Sequence, residues 1–224
     1  MNLLLSFQSR RILVISLCVW LLAGCSALFP KAQPQPRFYT LDIAQGEAAA
    51  TTSSSPTKHL STLPTLVVNP PRAAAGFDSQ RIIYLRQAHQ LEYFAHHQWL
   101  DTPARMLAPV IVSAIGRTNM FDAVLLSASG AAGDIRLDTE VLHLQQDFRN
   151  QPSTVRFTLR VTLLDRANRA VLASRDLDAS VKATSDDPYA GVIAANKAVE
   201  AVMGQLSALC EVVSGQWQQS VKAR

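Results

Sequence analysis

Apolar and polar residues alternate most regularly in the C-terminal half of the chain, and this pattern predicts a sheet. Alternation with a period of two is typical of strands with one buried and one solvated face, and it recurs at 134–148, 153–165 and 169–182. In the middle segment the apolar positions are Val155, Phe157, Leu159, Val161 and Leu163. The first segment changes phase at Leu142, which predicts a β-bulge. Connections of hairpin length predict that the three strands form an antiparallel meander.

Shorter apolar runs predict further strands towards the N-terminus. They lie at 38–43, 65–68 and 123–126, and the last of these is predicted to be buried. The segments 81–86 and 91–96 flank a short polar loop, so we expect them to pair as a hairpin. The sheet should therefore extend well beyond the meander.

Two stretches with apolar residues at helical spacing predict helices at about 102–117 and 188–219. Thr102 and Asp187 are the predicted N-caps, and each precedes a proline that suits the first helical position. Pro109 lies inside the first helix and predicts a kink there. The second helix has two interpretations: an amphipathic helix that covers the sheet, or a surface helix that binds lipid.

These elements predict an α/β fold: a single mixed-sheet sandwich domain over 38–219, with an antiparallel meander in its C-terminal half and two main helices. Residues 44–64 are rich in Ala, Ser and Thr and predict a mobile low-complexity loop. Residues 25–37 are rich in Pro and Gln and have no periodic apolar face, which predicts an anchor followed by an unfolded tether.

The N-terminus has the layout of a secretory signal. A basic pair, Arg10 and Arg11, precedes an apolar run of about a dozen residues that ends in Leu22-Ala23-Gly24-Cys25. This ending resembles the lipobox of bacterial lipoproteins, which implies removal of residues 1–24 and acylation of Cys25 by fatty acids such as palmitate. The alternative is an uncleaved signal anchor, but the apolar run falls well short of the roughly 20 residues that span a bilayer.

The residue after the cysteine bears on the destination of the protein. Two or more acyl chains anchor a protein stably, whereas one chain binds only marginally. In bacteria that sort lipoproteins, Asp at this position usually retains the protein at the inner membrane. Ser26 therefore implies export, and we expect the protein at the periplasmic face of the outer membrane.

Charge and cysteine content change little once the signal is removed. Lys plus Arg falls from 21 to 19 against 17 Asp plus Glu, so the net charge falls from +4 to +2. The basic residues are not clustered as a nucleic-acid footprint requires, so we predict no nucleic-acid partner. Only Cys210 remains besides the lipidated Cys25. An internal disulfide is therefore excluded, and Cys210 is expected to be a buried small apolar residue.

Motifs of catalysis and metal binding are missing from the sequence. There is no phosphate-binding P-loop, no G-x-S-x-G around Ser129, and no H-E-x-x-H or C-x-x-C. His96 and His97 are adjacent, so on a strand they point to opposite faces and cannot chelate one metal together. We therefore predict a protein that is not an enzyme, with no metal and no cofactor apart from the acyl lipid.

A series of motifs carries a family resemblance. In chain order they are Tyr39-Thr40-Leu41, Gly76-Phe77-Asp78-Ser79-Gln80-Arg81-Ile82-Ile83-Tyr84, Leu91-Glu92-Tyr93-Phe94-Ala95, and Trp99-Leu100-Asp101-Thr102-Pro103-Ala104-Arg105-Met106-Leu107. Together they resemble the ABC-type transport auxiliary lipoprotein family, the PqiC/YmbA-like group, over roughly 38–215. Single motifs are not specific, but the ordered set is.

The resemblance implies an α/β sandwich and a function. Family members look like lipoprotein partners of Mce-type systems, which move lipids between the inner and outer membranes, with the ATPase, the permease and the Mce protein as separate chains. The hypothesis is thus a non-enzymatic docking or structural subunit of an Mce/ABC-type lipid transport system. One alternative is an assembly or pilot lipoprotein for another outer-membrane complex. A lipid-handling hydrolase is a third, and the missing nucleophile motif counts against it.

A partner surface is expected on the predicted 81–99 hairpin, which is rich in aromatic residues. Tyr, Trp and Arg often anchor protein interfaces. The candidates are Arg81, Tyr84, Tyr93, Phe94 and Trp99. Side chains on alternating strand positions mostly enter the core, and the outward ones would contact an Mce partner or a neighbouring copy of the chain.

Overall fold

Nine strands and two helices make up the described part of the chain, which covers residues 34–42, 63–127 and 132–222 of the computed structural model. The strands are β1 (Arg37–Tyr39), β2 (Thr65–Val68), β3 (Arg72–Ala73), β4 (Arg81–Leu85), β5 (Leu91–Trp99), β6 (Ala123–Leu126), β7 (Ile135–Asp147), β8 (Thr154–Asp165) and β9 (Val171–Lys182). The helices are α1 (Pro103–Gly116) and α2 (Pro188–Lys222). All of them lie in the unit of the chain that begins at Pro36.

Several N-terminal predictions fall outside the described residues. They concern the signal peptide of residues 1–24, the lipidated Cys25, the sorting residue Ser26, and nearly all of 25–37 and 44–64. These remain predictions.

The longest strand, β7, organises the sheet. On one edge it pairs antiparallel with β8 along its whole length, and β9 pairs antiparallel with β8. On its other edge three short strands follow one another, all parallel to it: β2, then β3, then β4. Beyond these, β6 joins β2, while β5 joins β4 and β1 joins β5. The predicted mixed sheet is therefore confirmed, and so is the meander of β7, β8 and β9.

Two prolines explain the break between β2 and β3 along β7. Pro70 and Pro71 have no N–H to donate to a strand ladder, and they separate β2 from β3. Backbone bonds on either side keep the chain close to β7: Asn69 N–H donates to the Leu137 carbonyl, and Ala74 N–H donates to that of Val141, both at 2.9 Å.

The phase change seen in the sequence of β7 is a β-bulge. Val141 lies opposite Leu159 and His143 lies opposite Thr158, so Leu142 has no partner of its own. Beyond the bulge, the buried positions are Leu144 and Gln146. The predicted bulge is confirmed, and it allows β7 to present apolar residues to one core on both sides of the irregularity.

Three strand predictions need correction. β1 ends at Tyr39, although the sequence predicted a longer strand, and β5 continues to Trp99 instead of ending at residue 96. β6 was predicted to be buried, but Leu126 is 37% exposed and the other three residues are only half-buried. The reason is its position, since among the described strands β6 pairs only with β2.

Both helices contribute to one core with the inward face of the sheet. The largest buried side chains include Phe157, Leu159 and Leu163 from β8, Leu107, Ile111 and Ile115 from α1, and Leu206 from α2. The two predicted helices are confirmed, and α2 continues a few residues further than predicted, to Lys222. Together with the mixed sheet they confirm the predicted α/β fold class.

The two predicted N-caps behave differently. The Asp187 carboxylate accepts hydrogen bonds from the backbone N–H groups of Tyr189 and Ala190, at 2.9 and 3.0 Å, as an N-cap should. Thr102 occupies the N-cap position of α1, but its side chain makes no capping bond there. Its carbonyl accepts the first helical bond, from the Met106 N–H at 3.1 Å.

The apolar stripe of α2 is buried against the sheet. Its buried members are Val192, Val199, Met203, Leu206, Cys210 and Val213, and its last member, Trp217, is half-buried and packs against the core. This confirms the sheet-covering interpretation, and the stripe is not available as a lipid-binding surface. Cys210 is fully buried as predicted, and burial raises the pKa of its thiol to about 12.

The first turn of α2 lies unusually close to β7. A Cβ atom placed on Gly191 would come within 2.1 Å of the Gln146 Oε1 atom. Gln146 is only 2% exposed, and its Nε2 donates to the Ser153 hydroxyl at 2.9 Å, so its side chain is held in place. Gly191 therefore permits the helix to approach the sheet at this point.

Candidate functional surface

The hairpin of β4 and β5 contains a large irregularity. Ile83 lies opposite Tyr93 and Leu85 opposite Leu91, but the next pair is Arg81 with Gln98. Residues 94–97 of β5 thus lie opposite the single residue Ile82. Alternation of faces does not continue through such a bulge, so the sequence could not show which aromatic residues of the hairpin point outward.

Two of the predicted interface residues belong to the interior. Trp99 is 2% exposed and Tyr84 is 7% exposed. The Tyr84 ring lies 4.4 Å from the Phe94 ring and 5.7 Å from the Phe148 ring, measured between centroids. Phe94 is half-buried and packs against the core. We therefore remove Tyr84 and Trp99 from the candidate surface, because a partner could reach them only if the hairpin opened.

The Tyr84 hydroxyl is the centre of a small polar contact at the edge of this aromatic group. It donates to Glu92 Oε2 at 3.0 Å and accepts from the Arg86 guanidinium at 3.0 Å. Burial, followed by the hydrogen bond to Glu92, raises the pKa of the Tyr84 hydroxyl. The hydroxyl thus stays protonated and serves a structural role between the two strands.

The other two predicted residues form an exposed pair. The Arg81 guanidinium carbon lies 4.0 Å from the centroid of the Tyr93 ring, which is a cation–π contact. Tyr93 is 52% exposed, and the neighbouring Leu91 on the same strand is 49% exposed. We call Arg81, Leu91 and Tyr93 the hairpin surface.

A turn before β4 completes a groove beside the hairpin surface. The groove has a volume of about 390 Å³ and is lined by Gly76, Asp78, Ser79, Arg81, Ile83, Leu91, Glu92 and Tyr93. Gly76 has a φ of +90°, a backbone conformation that residues other than glycine rarely adopt. A Cβ atom at this position would lie 3.6 Å from Leu91. Gly76 and Leu91 were not predicted to be part of the surface, although an apolar residue beside a polar hairpin loop was a usable signal for Leu91.

The chemistry of this groove suits recognition. It offers an aromatic ring, a guanidinium and an aliphatic side chain in adjacent positions, and the Ser79 hydroxyl accepts from the backbone N–H of Arg81 at 3.4 Å. In the described ranges no three metal-ligating side chains come together. None of the helices described is both long enough and apolar enough to cross a membrane.

The start of the domain is tied to both the sheet and α2. The Tyr39 hydroxyl lies 2.8 Å from Nδ1 of His97, across the parallel pair of β1 and β5. Asn196 interrupts the apolar stripe of α2, and its amide oxygen accepts from the Asp42 N–H at 2.7 Å. Its Nδ2 also donates to the Thr40 carbonyl at 3.3 Å. The polar residue in the stripe therefore holds the segment that follows β1.

Solved structures show the same fold. Protein XCC0632 from Xanthomonas campestris is 24% identical, with a TM-score of 0.64, over 70% of this chain and 88% of that one. An uncharacterised protein is 10% identical, with a TM-score of 0.59, over 78% of this chain and 97% of that one. At these identities the likeness concerns the fold alone. No curated protein is significantly similar to the chain.

The sequence itself matches one protein family over most of its length. The match covers residues 39–207, and the family is described as the ABC-type transport auxiliary lipoprotein component. That range runs from β1 into the middle of α2 and includes the whole hairpin surface. The chain therefore belongs to the family of ABC-type transport auxiliary lipoprotein components.

Proposed function

We propose that the protein is the lipid-anchored docking subunit of an Mce-type intermembrane lipid transport system and that it performs no catalysis. Membership of an auxiliary family of ABC-type transport supports the general role. The lipobox ending at Cys25 supports an acyl anchor, and Ser26 supports the periplasmic face of the outer membrane. The ATPase and the permease would be separate chains, in keeping with the lack of a P-loop in this one.

The contact with the Mce-domain protein is assigned to the hairpin surface. The observation that carries this assignment is the stacking of Arg81 on the exposed ring of Tyr93, next to the half-exposed Leu91. Tyrosine and arginine are among the residues that contribute most to binding when a partner covers them. The adjoining groove of about 390 Å³ could accept a side chain or a short loop of the partner.

The docking surface would be connected to the anchor through the first strand of the domain and the tether before it. The tether enters the domain at β1, which pairs with β5, and β5 also carries Leu91 and Tyr93. The bonds from Tyr39 to His97 and from Asp42 to Asn196 fix this entry point. A partner held at the hairpin would therefore be held to the membrane through β5, β1 and the tether.

Affinity purification tests the assignment. The full chain and its Arg81→Ala and Tyr93→Ala variants are produced at normal level, and the detergent-solubilised envelope is purified on the tagged chain. We expect each variant to recover several-fold less Mce-domain protein, because alanine at an interface hot spot costs about 2 kcal/mol or more. Mass spectrometry of the recovered proteins provides the measurement.

Two exposed residues elsewhere provide matched controls. Arg175 lies on β9 and Tyr189 lies in the first turn of α2, and both are exposed. Arg175→Ala and Tyr189→Ala should leave recovery of the Mce-domain protein unchanged. Unchanged recovery with Arg81→Ala and Tyr93→Ala would refute the docking surface. A change in the mass of the assembly without loss of the Mce-domain protein would instead place a neighbouring copy on this surface.

A further inference from the structure

A second pocket lies at the other end of β7, next to the turn between β8 and β9. It has a volume of about 370 Å³ and is lined by Arg136, Leu164, Asp165, Arg166 and Arg169. The residues come from the two strands β7 and β8 and from the turn that follows β8, and the pairing of Arg136 with Leu164 across the strands brings them together. Three guanidinium groups thus border one concave site.

The charge of the first arginine in this pocket is balanced by a carboxylate. Arg136 lies 3.0 Å from Asp138, measured from Nη2 to Oδ2. The other two arginines form no ion pair with a carboxylate among the described residues. The Arg166 side chain donates to the carbonyl oxygen of Gly133 at 3.3 Å, and the Arg169 side chain has no hydrogen bond or ion pair within the described residues. Both side chains are exposed.

Two carboxylates, that of Asp165 in the pocket lining and that of Asp134, accept hydrogen bonds from backbone N–H groups. The Asp165 carboxylate accepts from the Ala167 N–H at 2.8 Å, and the Asp134 carboxylate accepts from the Thr65 N–H at 2.8 Å. Neither forms an ion pair with Arg166 or Arg169 among the described contacts. A neutral N–H does not cancel the charge of a carboxylate, so Asp165 still offsets one of the two guanidinium charges. An anion would complement the positive charge that remains.

The backbone that carries these two arginines is held in place before any ligand binds. Asp165 N–H donates to the Ala170 carbonyl, and Arg166 N–H donates to the Asp134 carbonyl, both at 2.9 Å. The Asn168 side chain accepts from the Ala170 N–H at 2.8 Å. A site on a fixed turn loses less conformational entropy on binding than one on a free loop.

We propose that this pocket binds the phosphate group of an anionic ligand. The planar guanidinium donates two parallel hydrogen bonds to phosphate oxygens, which makes arginine the side chain best suited to this group. Arg166 and Arg169 supply the charge and the donors, Arg136 lies beside them, and Leu164 offers an apolar wall to whatever the phosphate is attached to. Free phosphate and a lipid headgroup share this chemistry. The proposal does not depend on an Mce partner.

Calorimetric titration of the full chain in neutral detergent tests the site. The probes are inorganic phosphate, dihexanoyl phosphatidylglycerol and, as a zwitterionic control, dihexanoyl phosphatidylcholine. The variant is Arg166→Gln/Arg169→Gln. The control, Arg72→Gln/Arg175→Gln, makes the same change of net charge at two exposed arginines on β3 and β9. Thermal unfolding of all three proteins checks that each is folded.

The expected result is binding that weakens at least tenfold in Arg166→Gln/Arg169→Gln and stays within about twofold in the control, with weaker binding at higher salt. Binding of the phosphatidylglycerol alone would identify a lipid headgroup as the ligand. Equal binding of inorganic phosphate would identify the free anion. The proposal would be overturned if neither inorganic phosphate nor the phosphatidylglycerol bound, or if the two double variants lost affinity equally.

Discussion

Gly191 is the residue on which the approach of α2 to the sheet depends most directly. The nearest atom to its missing side chain belongs to Gln146, which is buried and bonded to Ser153. Ser153 is itself tied to the start of α2, since its N–H donates to Asp186 at 2.7 Å. The contact thus joins β7, the start of β8 and α2 at one point.

We predict that Gly191→Ala destabilises the protein by about 1–3 kcal/mol, because the added methyl group overpacks a filled site. The gain in helix propensity, about 1 kcal/mol, offsets part of this cost. Gly204→Ala is the matched control, since that glycine is exposed on the same helix with nothing within 4 Å of its Cβ position. It should be neutral or slightly stabilising.

Chemical denaturation of both variants measures these effects. A double variant, Gln146→Ala/Gly191→Ala, should show favourable coupling, because removal of the Gln146 side chain gives the new methyl group room. Equal stability of Gly191→Ala and Gly204→Ala would contradict the close approach seen here.

Two histidines on the strands should make stability depend on pH. Burial lowers the pKa of His97, with Arg37 and His96 adding to the effect. Burial also lowers the pKa of His143. The folded protein therefore binds protons at these sites more weakly than the unfolded chain does.

We accordingly predict that the free energy of unfolding falls as the pH drops from 7 to 5, through the unfolded histidine pKa of about 6.5. Carboxylates with a lowered pKa, such as Asp187, lose their contribution to stability only at lower pH, as the pH falls below the pKa of about 4 that they have in the unfolded chain. The variant His97→Gln/His143→Gln should show a shallower decline between pH 7 and 5. His89→Asn, at an exposed position, serves as the control. If the free energy of unfolding of the double variant falls as steeply with pH as that of the unaltered protein, these histidines are not the cause of the pH dependence.

At the scale of elements, the sequence predicted those strands whose faces alternate without interruption. The meander was foreseen because Val155 to Leu163 alternate with polar residues and even the bulge at Leu142 leaves a visible change of phase. In β5 the insertion of residues 94–97 opposite Ile82 destroys that regularity. The alternation therefore could not separate the buried Trp99 from the exposed Tyr93.

Long-range pairing set a second limit on prediction. The hairpin surface could be anticipated in part, because Arg81 and Tyr93 are of the residue types that form interfaces and lie close in sequence. The arginine pocket could not, because Arg136 and Arg166 meet only through the register of β7 with β8. The role of Asn196 also depends on long-range contacts, because its partners Thr40 and Asp42 lie more than 150 residues away along the chain.

At the scale of the whole molecule, two candidate binding sites lie towards opposite ends of β7. The hairpin loop follows β4, whose last residue, Leu85, pairs with the end of β7 at Asp147, while the arginine pocket lies near its start at Arg136. Ile83, which lines the groove, pairs with Gln145, and at about 3.3 Å per residue the strand from Arg136 to Gln145 is about 30 Å long. This separation would let the domain contact a protein partner at one end and a phosphate-bearing ligand at the other.

Under the proposed function, the domain acts in transport only when it is anchored at the membrane. The most direct measurement is lipid transfer between the two membranes in cells whose only copy has residues 1–25 replaced by a secretory signal that is cleaved without lipidation. We predict that this chain folds in the periplasm and is released from the membrane fraction, and that transfer is lost. Full transfer by the unanchored chain would show that the anchor is dispensable and would refute the proposed role.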